Sequence, residues 1–118
     1  MSIIVKGNKR QRYIGFSITS DFQNLLKSAF QKEIIHQCKL IFDKECKEMG
    51  IKLIKFNGNQ GILKCNHFEK ENAIKLLKSV KKIASKKVKI DTIATSGTIK
   101  SLINKHMNFE EFENVNTS

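Results

Sequence analysis

The side chains of this sequence best suited to chemistry are basic, and they are densest between residues 78 and 89. Six lysines fall within twelve residues with no acid among them: Lys78, Lys81, Lys82, Lys86, Lys87 and Lys89. Lys64, Lys100, Lys105, Arg10 and Arg12 could extend this group. Lysine attracts phosphate as a point charge and lacks the planar fork that reads guanine, so the pattern favours contact with a nucleic-acid backbone. A solvated, lysine-rich protein surface is the alternative reading of the same pattern.

The segment Ser96-Gly97-Thr98 lies between a strand pattern and a helix pattern. Free amides and the helix dipole at a helix N-terminus favour a bound phosphate. A serine or threonine at that position equally favours a simple N-cap. Because a cap and a phosphate compete for the same amides, both roles stay open for Ser96 and Thr98.

Metal binding and nucleophilic catalysis have no local signature in the sequence. The three histidines, His36, His67 and His106, fall in different predicted elements, and Cys65-x-His67 is two ligands short of a zinc site. Free cysteines are usually buried, so Cys38, Cys46 and Cys65 are predicted to be reduced core thiols. We therefore expect no catalytic residue, no bound metal and no cofactor.

The composition predicts one basic domain. The 118 residues include 22 Lys and Arg against 11 Asp and Glu, with a sequence pI of about 9.7. Such a chain attracts polyanions, and it has no apolar run long enough for a membrane span, so we expect a cytoplasmic protein. The predicted organisation is a flexible arm over 1–9, a single α/β sandwich domain over 10–106, and an acidic, disordered tail over 107–118.

Hydrophobic periodicity predicts the elements that position these residues. Alternation indicates strands near 10–19, on both sides of the Asn57-Gly58 hairpin, and over 87–95. Helical spacing indicates helices over 21–49, 69–85 and 98–106. The first helix begins at a Ser20 or Asp21 cap and breaks near Lys27–Ser28, where Ser28 and Gln31 form a capping-box pattern. The order βαββαβ predicts an α+β, ferredoxin-like sandwich, as in RNA-recognition modules, with a four-stranded antiparallel sheet and an extra C-terminal helix.

One face of this predicted sheet is too apolar to be left in water. Strand alternation places five residues there: Tyr13, Ile54, Phe56, Ile62 and Ile93. The C-terminal helix or a protein partner covers the face, or each covers part of it. Tyr13 is interpreted as a packing residue there, in preference to a base-stacking one.

Three blocks of the sequence resemble the archaeal and eukaryotic ribonuclease P protein component 2 family. They are "RYIGFSI" from Arg12, "GILKC" from Gly61 and "IATSGTIKSL" from Ile93. The resemblance spans roughly Arg10 to His106, and the region 21–49 matches it least well. It implies a ferredoxin-like fold and a subunit of the ribonucleoprotein that removes the 5′ leader from precursor tRNA.

The resemblance also implies partners and site residues. In that family the RNA subunit carries the catalytic site and the magnesium ions, and the protein pairs with ribonuclease P protein component 3. The partners implied here are therefore ribonuclease P RNA, component 3 and, indirectly, precursor tRNA. The residues themselves leave a homodimer open, and the lack of a long apolar run predicts no membrane partner. The predicted RNA-binding residues are Arg10, Arg12, Lys64, Lys78, Lys82, Lys86, Lys87, Lys89, Ser96, Thr98, Lys100 and Lys105. A stand-alone RNA-processing enzyme and a ligand-binding regulatory domain are the alternatives.

Overall fold

The computed structural model of the protein describes residues 10–20 and 25–106. The predictions for 1–9, for a cap at Asp21 and for 107–118 lie outside these residues. The strands are β1 (Gln11–Ser20), β2 (Lys52–Phe56), β3 (Gln60–Asn66), β4 (Lys82–Ile83) and β5 (Lys86–Ser96). The α-helices are α1 (Lys27–Phe42), α2 (Lys70–Ser79) and α3 (Ile99–His106), with short 3-10 helices at Cys46–Met49 and His67–Glu69.

The strands form one antiparallel sheet in the order β2-β3-β1-β5-β4. The α+β class is as predicted, but the sheet has five strands and the prediction of four was wrong. The additional strand is β4, a two-residue strand that pairs only with the start of β5, through Lys82 with Lys87 and Ile83 with Lys86. It extends the sheet at the edge where the lysines of the sequence are densest.

The main core lies between the sheet and the helices α1 and α2. Ile14, Phe16 and Ile18 alternate along β1 and are buried there, as period two predicts. The Phe30 ring of α1 stands edge-on to the Phe16 ring, with centroids 5.5 Å apart. Gly61 lies opposite Phe16 in β3, and a Cβ there would overlap the Phe16 ring and approach the Lys55 carbonyl oxygen to 2.8 Å. Glycine at this position therefore makes room for the aromatic core.

Helix α3 packs on the other face of the sheet. Leu102 is fully buried against Ile62 of β3, and their cluster includes Tyr13, Ile54, Ala94, Ile99 and Ile103. Of the two predicted covers for this face, the C-terminal helix is therefore present. Tyr13 has the packing role predicted for it.

Two residues predicted for that face lie elsewhere. Phe56 packs into the main core, with its ring centroid 5.1 Å from that of Phe30. The register of β2 shifts between Leu53 and Lys55, so strict alternation assigned Phe56 to the wrong face. The β1–β5 register shifts in the same way, Gly15 pairing with Ala94 and Phe16 with Thr92, and this leaves Ile93 outside the cluster and 37% exposed.

The predicted helix over 69–85 was wrong after Ser79. The Ser79 hydroxyl donates a 2.6 Å hydrogen bond to the Leu76 carbonyl, and Val80 is extended. The chain then forms the β4–β5 hairpin through Ala84 and Ser85, which have φ of 52° and 70°. Val80 and Ile83 are buried in the main core. Val80 and Ile83 would be buried in a continued helix and are also buried in the observed hairpin. The apolar pattern therefore did not distinguish a helix from a hairpin here.

The remaining boundaries are partly as predicted. Helix α1 begins at Lys27 with Leu26 as its N-cap, so the chain does change conformation near Lys27 but the Ser28 capping box does not form. Helix α1 ends at Phe42, seven residues before the predicted end, and a 3-10 turn leads to Gly50. Gly50 closes that turn with φ of 66°, as expected of a C-terminal glycine. The Asn57 hairpin forms, with positive φ at Gly58 but not at Asn57.

Candidate nucleic-acid interface

One edge of the sheet carries a dense group of lysines, which we call the lysine edge. Its members come from the last turn of α2, the Val80–Ile83 segment and the first half of β5: Lys78, Lys81, Lys82, Lys86, Lys87 and Lys89. The β4–β5 hairpin brings Lys82 opposite Lys87, and Lys86 is the only half-buried member of the group, the others being exposed. The structure thus converts a run in sequence into one surface.

Few carboxylates lie near the lysine edge. Asp91 is the single acid between residues 72 and 106 of the sequence. Two ion pairs, Lys39 with Asp43 at 3.6 Å and Lys70 with Glu71 at 3.9 Å, lie away from the lysine edge. Lysines outnumber nearby acids in this part of the sequence, so the lysine edge has a positive field that attracts a phosphate backbone.

A second basic group lies at the start of β1, and we call it the β1 cluster. It comprises Arg10, Arg12, Lys64 and Lys100, which share one end of the sheet but not one face. Arg12 pairs with core residue Cys65, and Lys64 pairs with Tyr13 on the α3 side. Tyr13 pairs with Lys64 on one side and Ser96 on the other, so this row crosses three strands. The Arg12 guanidinium donates to the Gln11 carbonyl at 3.2 Å and lies beside Gly97, close to Lys100 in the chain.

The electrostatics of the β1 cluster are visible at His67. Loss of solvent around the ring, followed by the charges of Arg12, Arg10 and Lys70, lowers the pKa of His67 below its usual value. The buried Nδ1 of His67 has no hydrogen-bond partner within residues 10–20 and 25–106. His67 is therefore neutral at pH 7, and the cationic character of this region belongs to the arginines and lysines.

The two basic groups do not merge into one patch. Lys89 pairs with Thr19 and Ser96 pairs with Tyr13, at opposite ends of the β1–β5 ladder. Lys89 and Ser96 are seven residue steps apart along β5, or roughly 23 Å of extended strand. The structure thus divides the predicted RNA-binding residues into two basic regions, while exposed Lys105 lies farther along α3.

Thr98 caps helix α3. The Ser101 amide donates to Thr98 Oγ1 at 3.1 Å, and the Thr98 amide approaches Ser96 Oγ at 3.4 Å. The cap predicted for this segment is confirmed. Because the Thr98 hydroxyl already takes one of the free amides of the first turn, a phosphate at this helix end would compete with a formed interaction.

The α3 helix also affects the partner surface predicted from the sequence. Tyr13, Ile54 and Ile62 pack together with the underside of α3. Phe56 belongs to the main core, and Ile93 keeps the exposure noted above. A partner that binds this side of the described domain therefore meets α3 before it meets the sheet.

The three cysteines are free thiols, as predicted. Burial, aided by the nearby Cys46, raises the pKa of Cys38 to about 12, and burial raises the pKa of Cys65 to about 11. The sulfurs of Cys38 and Cys46 lie 3.0 Å apart. Within the described residues, no group of three or more His, Cys, Asp or Glu side chains converges to hold a metal ion.

One feature of the site was absent from the sequence prediction. A groove of about 320 Å³ runs beside β5 and is lined by Lys78, Val80, Lys81, Val88, Lys89, Ile90 and Asp91. Helical periodicity over 69–85 concealed it, since the groove forms only where the chain leaves α2 and begins β4. The run of lysines from Lys78 to Lys89, with no acid among them, was the signal in the sequence that pointed to this region.

Among the described residues, no helix is both long enough and apolar enough to cross a membrane. The fold and the surface define a small, basic α+β domain with a lysine edge at one side of its sheet. The Rpp14/Pop5 family model matches residues 12–107, and the chain belongs to this family.

Known proteins similar to this chain agree with the family. Ribonuclease P protein component 2 of Methanosarcina barkeri is 27% identical over 105 residues, covering 88% of this chain and 77% of that protein. Its counterpart in Methanosarcina mazei is 24% identical over 102 residues, covering 86% and 87%. A chain in a cryo-EM structure of yeast ribonuclease MRP shares the fold with a TM-score of 0.59 at 12% identity, covering 93% of this chain and 97% of that one. The resemblance found in the sequence is confirmed.

Proposed function

We propose that the protein is a non-catalytic subunit of ribonuclease P that binds the catalytic RNA and assists removal of the 5′ leader from precursor tRNA. The observation that carries the proposal is the family match over residues 12–107, together with curated relatives named ribonuclease P protein component 2. The lysine edge supplies a physical means of binding RNA. In this role the magnesium ions belong to the RNA subunit.

The strand order supports a ferredoxin-like plan for this domain. Without β4, the sheet order β2-β3-β1-β5 and the helices after β1 and β3 correspond to a βαββαβ arrangement. We infer that β4 is an addition to this plan at the lysine edge. The addition places Lys82 and Lys87 opposite each other on a hairpin, which brings their charges to the same edge.

We further propose ribonuclease P RNA and ribonuclease P protein component 3 as the partners of the chain. The likeness to a chain of the yeast ribonuclease MRP structure supports assembly into a ribonucleoprotein. Contact with precursor tRNA is then indirect, through the assembled RNA. Cleavage chemistry in this role stays with the RNA.

Reconstitution tests this function. The ribonuclease P RNA of the same organism is mixed with component 3, with or without this protein, and cleavage of precursor tRNA is measured at low magnesium. Addition of the protein should raise the rate of 5′-leader removal, because its lysines neutralise phosphates that magnesium otherwise screens. The protein without RNA should leave the substrate intact. A rate that does not change on addition would contradict the proposed function, and cleavage by the protein alone would favour a stand-alone enzyme.

A matched pair of variants ties the function to the lysine edge. Lys82→Ala/Lys87→Ala removes two exposed charges of the hairpin, whereas Lys44→Ala/Lys47→Ala removes two exposed charges beyond the end of α1. Affinity for the RNA should fall with the first pair and change little with the second. The dependence of log Kd on log salt should become shallower by about 1.8 for two lost phosphate contacts. Equal losses from the two pairs would show that net charge, and not this surface, governs binding.

A further inference from the structure

The groove beside β5 lies where β4 stops pairing. Beyond the Lys82–Lys87 pair, the Val88 amide donates to the Lys81 carbonyl at 2.9 Å. The residues of β5 after Val88 run along β1 on one side only, and the groove occupies their other side. It is thus an open strand edge with a volume of about 320 Å³, at the lower end of the range for small-molecule sites.

The lining of the groove combines an apolar base with a charged rim. Val80, Val88 and Ile90 are 1–8% exposed and form the base. Exposed Lys78, Lys81 and Lys89 stand around it. The three apolar residues belong to the edge of the main core, where the groove reaches it. A simple phosphate track would not include the carboxylate of Asp91.

The backbone of the groove adds directional hydrogen bonding. Successive amides of a strand point to opposite edges, so residues two apart point the same way. Since the Val88 amide points to the β4 side, the amide and carbonyl of Ile90 also face that side. There β4 has already ended, and these two groups are presented to whatever occupies the groove.

We propose that this groove binds one unpaired nucleotide of an RNA strand. The inference rests on the proposed function, because it assumes that RNA is the polyanion this surface meets. The base lies on Val80, Val88 and Ile90, and its polar edge bonds to the Ile90 backbone and the Asp91 carboxylate. The flanking phosphates lie against Lys78, Lys81 and Lys89. Paired bases are stacked inside a duplex and cannot enter, so the groove distinguishes looped from helical RNA.

The first test compares three probes on the full chain by NMR. A twelve-nucleotide oligouridine, a blunt RNA duplex of twelve pairs and inorganic phosphate are each titrated against uniformly ¹⁵N-labelled protein. Oligouridine should shift the amides of Val88, Lys89, Ile90 and Asp91, and the duplex should leave the Ile90 amide in place. If the duplex or inorganic phosphate moves the Ile90 amide as far as oligouridine does, the groove is only a phosphate-binding surface and the proposal is overturned.

The second test uses the sign of the effect at Asp91. If the carboxylate bonds to a base, Asp91→Ala weakens oligouridine binding while it leaves duplex binding equal or stronger. If the carboxylate merely repels phosphate, Asp91→Ala strengthens binding of both probes, and that result overturns the proposal. Asp91 is exposed, so the variant is expected to fold, and its melting temperature confirms that it does.

A charge variant checks the rim. Lys78→Ala/Lys81→Ala/Lys89→Ala should weaken oligouridine binding by about tenfold or more at 0.1 M salt, since three phosphate contacts are lost. Lys32→Ala/Lys44→Ala/Lys47→Ala, which removes the same charge from exposed positions outside the groove, should weaken it less than threefold. Equal effects of the two variants would contradict the proposed contacts of Lys78, Lys81 and Lys89 with the flanking phosphates. Precursor-tRNA cleavage in the reconstituted enzyme is scored separately, so that failure of the groove and failure of the proposed function give different results.

Discussion

At the scale of single residues, the role of the Ser96-Gly97-Thr98 segment is to cap helix α3 through Thr98. Its Oγ1 accepts the Ser101 amide at 3.1 Å, and this satisfies one of the free donors of α3. Thr98→Ala should therefore lower the free energy of unfolding by about 1 kcal/mol, measured by urea denaturation. Thr98→Ser keeps the hydroxyl and should restore most of the loss. RNA affinity measured on the folded protein should stay unchanged. A loss of affinity without a loss of stability would instead show that Thr98 contacts an RNA phosphate.

The turn residues Ala84 and Ser85 destabilise the fold, whereas the Thr98 cap stabilises it. Both have positive φ, a conformation that costs an L-residue with a Cβ roughly 1–2 kcal/mol. Ser85→Gly should therefore raise the free energy of unfolding by about 1 kcal/mol, since glycine reaches this region without strain. Gly58→Ala is the matched reverse change, because Gly58 has φ of 99° and no atom near its missing Cβ. It should destabilise the protein, and urea denaturation measures both. No gain from Ser85→Gly would mean that this turn is not strained.

The buried thiols make stability depend on pH. Burial raises the pKa of Cys38 to about 12 and that of Cys65 to about 11, from 9.0 for a free thiol. Below pH 9 both states of the chain hold these protons, and above it the unfolded chain releases them while the fold retains them. Stability should thus be constant with respect to these thiols below pH 9. It should fall between pH 9 and 11 by up to about 1.4 kcal/mol per pH unit for each thiol.

A variant separates this effect from lysine titration. Cys65→Ala removes one buried thiol and leaves every lysine in place, so its stability should fall less steeply between pH 9 and 11 than that of the natural chain. The slope, measured by urea denaturation at a series of pH values, is the relevant quantity, since the lost side chain lowers the absolute stability at all pH values. Identical slopes in the two proteins would exclude Cys65 as the origin of the effect.

At the scale of elements, the sequence predicted those that one physical rule determines. Ile14, Phe16 and Ile18 alternate with polar or small residues, and they give β1 its buried face whatever surrounds it. Where two rules compete, the prediction failed. Val80 and Ile83 satisfy the helical period, but Ala84-Ser85 adopts a turn that neither residue type announces, since asparagine and glycine normally mark it. The shift between Leu53 and Lys55 was equally hidden, because an extra strand residue has no signature in hydrophobic alternation.

Helix α3 is held to the sheet by a small number of contacts. Leu102 is fully buried against Ile62, and Ile99 and Ile103 flank it. Leu102→Ala should lower the free energy of unfolding by about 2–5 kcal/mol, because it leaves a cavity between helix and sheet. Asn104→Ala, on an exposed position of the same helix, should change it by less than about 0.5 kcal/mol. Urea denaturation of the two variants measures this, and equal stability would show that α3 is not packed on the sheet.

At the scale of the whole molecule, the sequence revealed the charge of the candidate site but not its distribution. A surplus of lysine over acid is a property of composition and needs no fold. Whether Lys100 and Lys89 lie together depends on the length of β5 and on its register with β1, and neither was available from residue types. The groove depends on the point at which α2 ends, which the helical pattern misplaced. Long-range geometry therefore accounts for most of what was missed.

The separation of the two basic regions predicts how their energies combine. The lysine edge and the β1 cluster lie roughly 23 Å apart along β5, farther than the about 10 Å within which substitutions usually couple. Lys82→Ala/Lys87→Ala and Arg10→Ala/Lys100→Ala should each weaken binding to ribonuclease P RNA, and the fourfold variant should show the sum of the two free-energy losses to within about 0.5 kcal/mol. Each pair should also make the salt dependence shallower by a similar amount, because each removes two phosphate contacts.

The combined variant distinguishes this arrangement from a single contact patch. Two independent contacts require an RNA surface that reaches both ends of β5 at once, roughly 23 Å apart. If the fourfold variant loses no more affinity for ribonuclease P RNA than one pair alone, only one region touches the RNA. The other basic region would then be free for a different partner of the ribonucleoprotein.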